Sequence, residues 1–175
     1  MIDWERGEER NGESTVRIEI HVEGRPPKKD GASSMWRKPV EQQRLKALRL
    51  AAMGSVLGID WDPHANMALS VTVFASVRAG DLDNFVTGIC DGLQAANQVQ
   101  IDAKDWEDVP AEIRPDRHLL LVDDRTVQRI TIERRELDGA GERYSLTLES
   151  LGAAAVDRSS GSRQDDSPRV PGTLR

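Results

Sequence analysis

The chain has a single cysteine, Cys90, among its 175 residues, so no intrachain disulfide can form and a cytoplasmic address is the simplest expectation. It also has no stretch near the ~18 to 20 consecutive apolar residues that a membrane helix requires, and no membrane contact is expected. The first thirteen residues, MIDWERGEERNGE, are mostly charged and polar and carry no apolar segment ahead of a small-residue cleavage site, so no secretory leader is expected. Aromatic residues are scarce, at 4%. Missing too are a P-loop, a dinucleotide-binding fingerprint, an HExxH pair and a cysteine-based zinc site, and the enzyme classes built on them are unsupported.

What is present fits one globular domain. Domains cluster at ~100 to 150 residues, and 38% apolar with 31% charged residues describes a packed core under a polar surface. We expect a polar tail over residues 1–13, one domain over 14–151 and a disordered tail over 152–175, where large apolar side chains almost vanish.

The formal net charge of −6 speaks against phosphate binding until its distribution is considered. Between residues 25 and 49, eight Lys or Arg face only Asp30 and Glu41, whereas between 50 and 124 thirteen acids face four bases. Two solvated surfaces of opposite sign explain this as well as a nuclease with cations for phosphates and carboxylates for a metal.

Periodicity supplies the elements. Alternation of Val16, Ile18, Ile20 and Val22 predicts a strand over 15–22, followed by an exposed basic loop containing GRPPKK. A helix is expected from Pro39 to about Gly54, with Leu45, Leu48 and Met53 toward the core and Arg44, Lys46 and Arg49 toward solvent. Residues 67–77 read as a strand and 84–96 as a helix with the stripe Phe85, Ile89, Leu93. Residues 97–117 are polar and irregular; 118–122, 127–135 and 144–149 read as strands, the last two as an antiparallel hairpin. Cys90, beside the apolar stripe, reads as small core filler.

The segment most suggestive of chemistry is GDLDN, residues 80–84. In an extended chain Asp81 and Asp83 project to one side with Cα atoms roughly 6.5 Å apart, a spacing one divalent cation can bridge. Such an ion relieves their repulsion, polarises a phosphoryl oxygen and generates hydroxide from water. The simpler reading makes one of them a helix cap. Asp91, seven residues after Asn84, and the Asp123–Asp124 pair before the next strand offer further carboxylates. His64 and His118 are far apart and lack ligand spacing, so both read as structural or surface residues. Trp36 reads first as packing on its own loop and second as a stacking platform for a base.

The order DLDNFVTGICDGL followed by DDRTVQRITIERR resembles the RusA family of Holliday junction resolvases, in which a strand runs into D-x-D-N, a helix follows with an aspartate seven residues after the Asn, and D-D-x-x-V opens a later strand. The resemblance extends over residues 15–149. It implies an α+β domain with a mixed sheet packed against helices, and a magnesium-dependent (or manganese-dependent) endonuclease that makes paired nicks in four-way DNA junctions as a homodimer. By position it assigns metal binding and catalysis to Asp81, Asp83 and Asp124, with Asn84 and Asp91 in support. The basic loop, with Lys28, Lys29, Arg37 and Lys38, reads by its own charge as either a DNA contact or a solvated loop. Two departures stand out: Thr87 occupies the family's lysine position, and residues 97–117 form an insertion that also offers WEDV as a second, weaker match to the late acidic motif. Lys28, Lys29, Arg78 and Arg125 are the candidates to replace the lysine. The alternatives are a non-catalytic DNA-binding dimer on the same scaffold and an interaction protein with no DNA role.

Overall fold

The computed structural model describes residues 15–29, 34–97 and 101–151, so the expected tails lie outside the described residues. In chain order the elements are β1 (Arg17–Glu23), α1 (Pro39–Ser55), β2 (Met67–Phe74), α2 (Leu82–Leu93), β3 (Val127–Arg135) and β4 (Arg143–Ser150), with short 3-10 turns between them. This is an α+β fold in which one four-stranded mixed sheet, ordered β1-β4-β2-β3, carries both helices on one face.

Alternation decides which face is which. Ile18, Ile20 and Val22 of β1 and Tyr144, Leu146 and Leu148 of β4 are buried, with the intervening Glu19 and His21 exposed. Leu69, Val71 and Val73 of β2 continue that apolar face. Against it pack Leu48 and Ala52 of α1 and the stripe Phe85, Ile89 and Leu93 of α2, all three of which are fully buried. The helices meet at Gly92, where a Cβ would stand 2.9 Å from the side chains of Leu45 and Leu48.

Three expectations are corrected. β3 and β4 are consecutive but do not pair as a hairpin: β4 inserts between β1 and β2, antiparallel to both, and β3 runs parallel to β2 on the outside. The burial of Tyr144, Leu146 and Leu148 suits a central strand, whereas Val127–Arg135 is rich in charge and suits an edge. Residues 118–122 form no strand; Leu120 and Leu121 are buried in irregular chain whose Leu119 and Leu120 N–H groups both donate to the Leu93 carbonyl at the end of α2.

The third correction concerns Arg49, which does not lie on the solvent side of α1. It is fully buried, and its guanidinium donates to the carbonyls of Gly92 (2.5 Å), Gln94 (2.9 Å), Ile113 (2.7 Å), Arg114 (2.7 Å) and Arg117 (2.5 Å). Burial pulls this guanidinium down to about 10, still charged at neutral pH. The insertion therefore wraps an internal cation, and a second small core of Met35, Trp36, Leu45 and Trp106 sits beside it.

Candidate active site at the β2–α2 turn

β2 ends at Phe74, a 3-10 turn spans Val77–Ala79, and the chain reverses at Gly80 before α2 begins. Gly80 has φ 136°, a conformation that L side chains rarely adopt, and a Cβ there would meet the Phe85 ring at 3.4 Å. The Gly80 carbonyl accepts a hydrogen bond from the Arg134 guanidinium of β3, which ties the turn to the sheet edge. Nothing local in the sequence distinguishes Arg134 from its charged neighbours Glu133 and Arg135.

Asp81 stands at the N-cap position and Asp83 in the first turn of α2. The pair is thus at a helix start and not on extended strand, and the same-side geometry expected of a strand does not apply. Both carboxylates are exposed, and the Asp81 side chain makes no capping hydrogen bond. The simpler capping role is therefore not taken up by Asp81. The positive end of the helix dipole nonetheless favours negative charge here.

The basic loop lies directly on this helix. A Cβ on Gly88 would stand 2.2 Å from the Pro27 carbonyl oxygen and 2.8 Å from the Lys28 Cα, so only glycine admits the loop. The Lys29 N–H donates to the Asn84 carbonyl at 3.1 Å, and Lys29 Nζ pairs with Asp91 at 2.9 Å. From the other side, buried Glu41 of α1 accepts the Lys28 N–H at 2.9 Å and pairs with Arg44 at 2.7 Å. The Lys28 side chain passes Gly80, with Cδ 3.9 Å from where a Cβ would be. Of the four candidates to replace the family lysine, Lys28 and Lys29 reach α2 from another element. Thr87 itself is exposed, and its hydroxyl donates to the Asp83 carbonyl of its own helix at 3.0 Å. A glycine in mid-helix costs about 1 kcal/mol relative to alanine, so Gly88 was the available signal that a backbone approaches there.

Asp124 is placed elsewhere. Asp123 holds the turn Asp124–Thr126 by accepting the Arg125 N–H at 2.9 Å, a bond that keeps its carboxyl below the usual range. This turn precedes β3, whose Val127 pairs with Met67 at the start of β2, whereas Asp81 and Asp83 follow the end of β2 at Phe74. One chain thus places Asp81 and Asp83 two residues apart at the start of α2, with Lys28 near the turn, and leaves Asp124 at the opposite end of β2. Among the described residues no three His, Cys, Asp or Glu side chains are grouped to hold one metal ion. Among the described residues the donors at this turn amount to two carboxylates, which fit a hard cation by type and fall short by number.

The remaining candidates are structural or peripheral. Trp36 is buried, its ring 5.6 Å from that of Trp106, and offers no platform to a base. Arg37 is exposed and Lys38 half-buried at the start of α1. In WEDV, Trp106 is core and Asp108 pairs with Lys46 at 2.7 Å. His64 is exposed; His118 Nδ1 lies 3.2 Å from both the Ala95 N–H and the Leu121 carbonyl. Cys90 is buried, and desolvation pushes its thiol up to about 12, as core filler requires.

No protein-family model matches the chain, and no curated protein matches it either. No helix among the described residues is long and apolar enough to cross a membrane.

Proposed function

We propose that the protein is a metal-dependent, structure-selective endodeoxyribonuclease of the resolvase type, acting on four-way DNA junctions as a homodimer. The observation that carries this reading is the β2–α2 turn: two exposed carboxylates, Asp81 and Asp83, with a lysine-bearing loop locked against the same helix by Gly88. Asp81 and Asp83 would be the residues to hold magnesium or manganese, which would supply an activated water and offset the phosphate charge. Lys28 and Lys29 then position the backbone of the DNA. Asp124, in the turn before β3, stands at the opposite end of β2 from Asp81 and Asp83, which gives a second copy a chemical purpose. The test is cleavage of four-way junctions against linear duplex with magnesium: the wild type nicks junctions, and Asp83→Asn binds without cutting. A chain that binds no divalent ion and cuts neither substrate overturns the reading.

A second reading, a non-catalytic DNA-binding dimer, draws on Thr87 and on the two-carboxylate donor set. It predicts salt-sensitive junction binding that no metal converts to cutting.

A further inference from the structure

β3 is an edge strand of nine residues, and among the described residues no further strand pairs with its outer side. The Arg135 carbonyl accepts the Ala75 N–H at 3.3 Å, in step with the pairing of Phe74 and Arg135. In a parallel ladder the groups of one residue point to the same side, so 129, 131, 133 and 135 turn their peptide groups toward β2. Those of 128, 130, 132 and 134 turn outward. The outward groups form a continuous template for another strand.

From this edge we infer that two copies of the chain join β3 to β3 in antiparallel fashion about a twofold axis at Thr131. This interface does not depend on the nuclease reading. In that register Ile130 faces Ile132 of the second copy in a hydrogen-bonded pair, twice over, with the outward groups of all four residues satisfied. Arg129 faces Glu133, also twice, on the opposite face of the joined sheet. Glu133 is already fixed on that face by Thr72 at 3.0 Å and Arg135 at 2.6 Å. Neighbouring registers lose this match: centred on Ile132, Arg129 meets Arg135, and centred on Ile130, Glu133 meets Val127.

Apolar surface points the same way. Ile130 is 48% exposed although it lies on the helix-bearing face beside Leu69, and Ile132 is only half-buried. The other edge, β1, also has charges at symmetric positions, Arg17 and Glu23, but its Ile18, Ile20 and Val22 are already covered. Pairing there hides no apolar side chain. A twofold contact of β3 with itself is isologous and closes at two copies.

The experiment combines sedimentation with cross-linking, neither of which requires activity. Wild type sediments as a dimer; Arg129→Glu and Glu133→Arg each place like charges opposite one another twice and weaken association about tenfold or more. An equimolar mixture of the two variants restores a dimer, because one chain of each kind recovers both charge pairs. Thr131→Cys, at a facing pair with Cα atoms ~4.5 Å apart, cross-links on oxidation. Arg129→Cys, four positions out of register with itself, does not. A monomeric wild type overturns the inference, as does a dimer that neither charge variant weakens and Thr131→Cys fails to cross-link.

Discussion

Gly88 and Pro27 approach so closely that a Cβ on the glycine would lie 2.2 Å from the proline carbonyl oxygen. Helix and loop are thereby a single unit, and the basic residues at 28 and 29 are held relative to the carboxylates at 81 and 83.

Replacing Gly88 with alanine tests that unit. Alanine favours a helix interior by about 1 kcal/mol, yet the contact is with backbone, which cannot swing aside as a long side chain does. We expect a net loss of about 1 to 3 kcal/mol in urea unfolding. Increased solvent exchange at the Lys29 amide, which now donates to Asn84, should accompany it. An unchanged amide and unchanged stability would show that the loop is not held there.

Arg49 is the second test. Arg49→Met keeps the volume and leaves five carbonyls without their donor, for a loss of about 3 kcal/mol. Lysine, with three donors and no planar fork, recovers only part of it. The check is chemical denaturation alongside proteolysis, with new cleavage expected between residues 94 and 117. Equal stability of all three proteins would contradict the role assigned to the guanidinium.

Lys28 and Thr87 form a reciprocal pair of tests on the proposed activity. Lys28→Ala should lower junction cleavage about a hundredfold, in the range found for removing one charge-stabilising donor. Adding Thr87→Lys to that variant should return much of the loss from the helix side. Cleavage unaffected by Lys28→Ala removes that lysine from the proposed site.

Acid sensitivity should come from paired surface carboxylates. A hydrogen bond from Arg143 holds Asp138 well below the usual carboxylate range, and one from Lys46 lowers Asp108. Carboxyls depressed in the folded state contribute stability above pH ~4 and lose it as pH falls through their lowered values. Asp138→Asn should therefore cost stability at pH 7 and less of it at pH 2, where the loss of the contribution has begun but is incomplete. Parallel losses at both pH values would exclude the linkage.

Much of the scaffold was legible in the sequence because two periods write it plainly. Alternation at Ile18, Ile20 and Val22 marked β1, and Phe85, Ile89 and Leu93 marked the buried stripe of α2. Pairing was less legible: β3 and β4 are neighbours in sequence, and only the ladders on both edges of β4, with β1 and with β2, reveal it as central. Helical spacing alone puts Arg49 toward solvent, because the carbonyls of Ile113, Arg114 and Arg117 that receive it belong to a segment with no period of its own. Asp81 and Asp83 were found by pattern, and their helical setting was hidden by a strand expected to run to residue 77 that ends at Phe74. The distance to Asp124 follows from the length of β2 and the parallel course of β3, which residue spacing in the motif does not encode.

Cys90 is the chain's sole thiol, and it is buried with its ionisation pushed up to about 12. Near neutral pH its thiol is therefore both covered and held in the unreactive protonated form. Any cysteine placed on its surface, for a spin label, a fluorophore or a cross-link, reports alone and without first removing a native one.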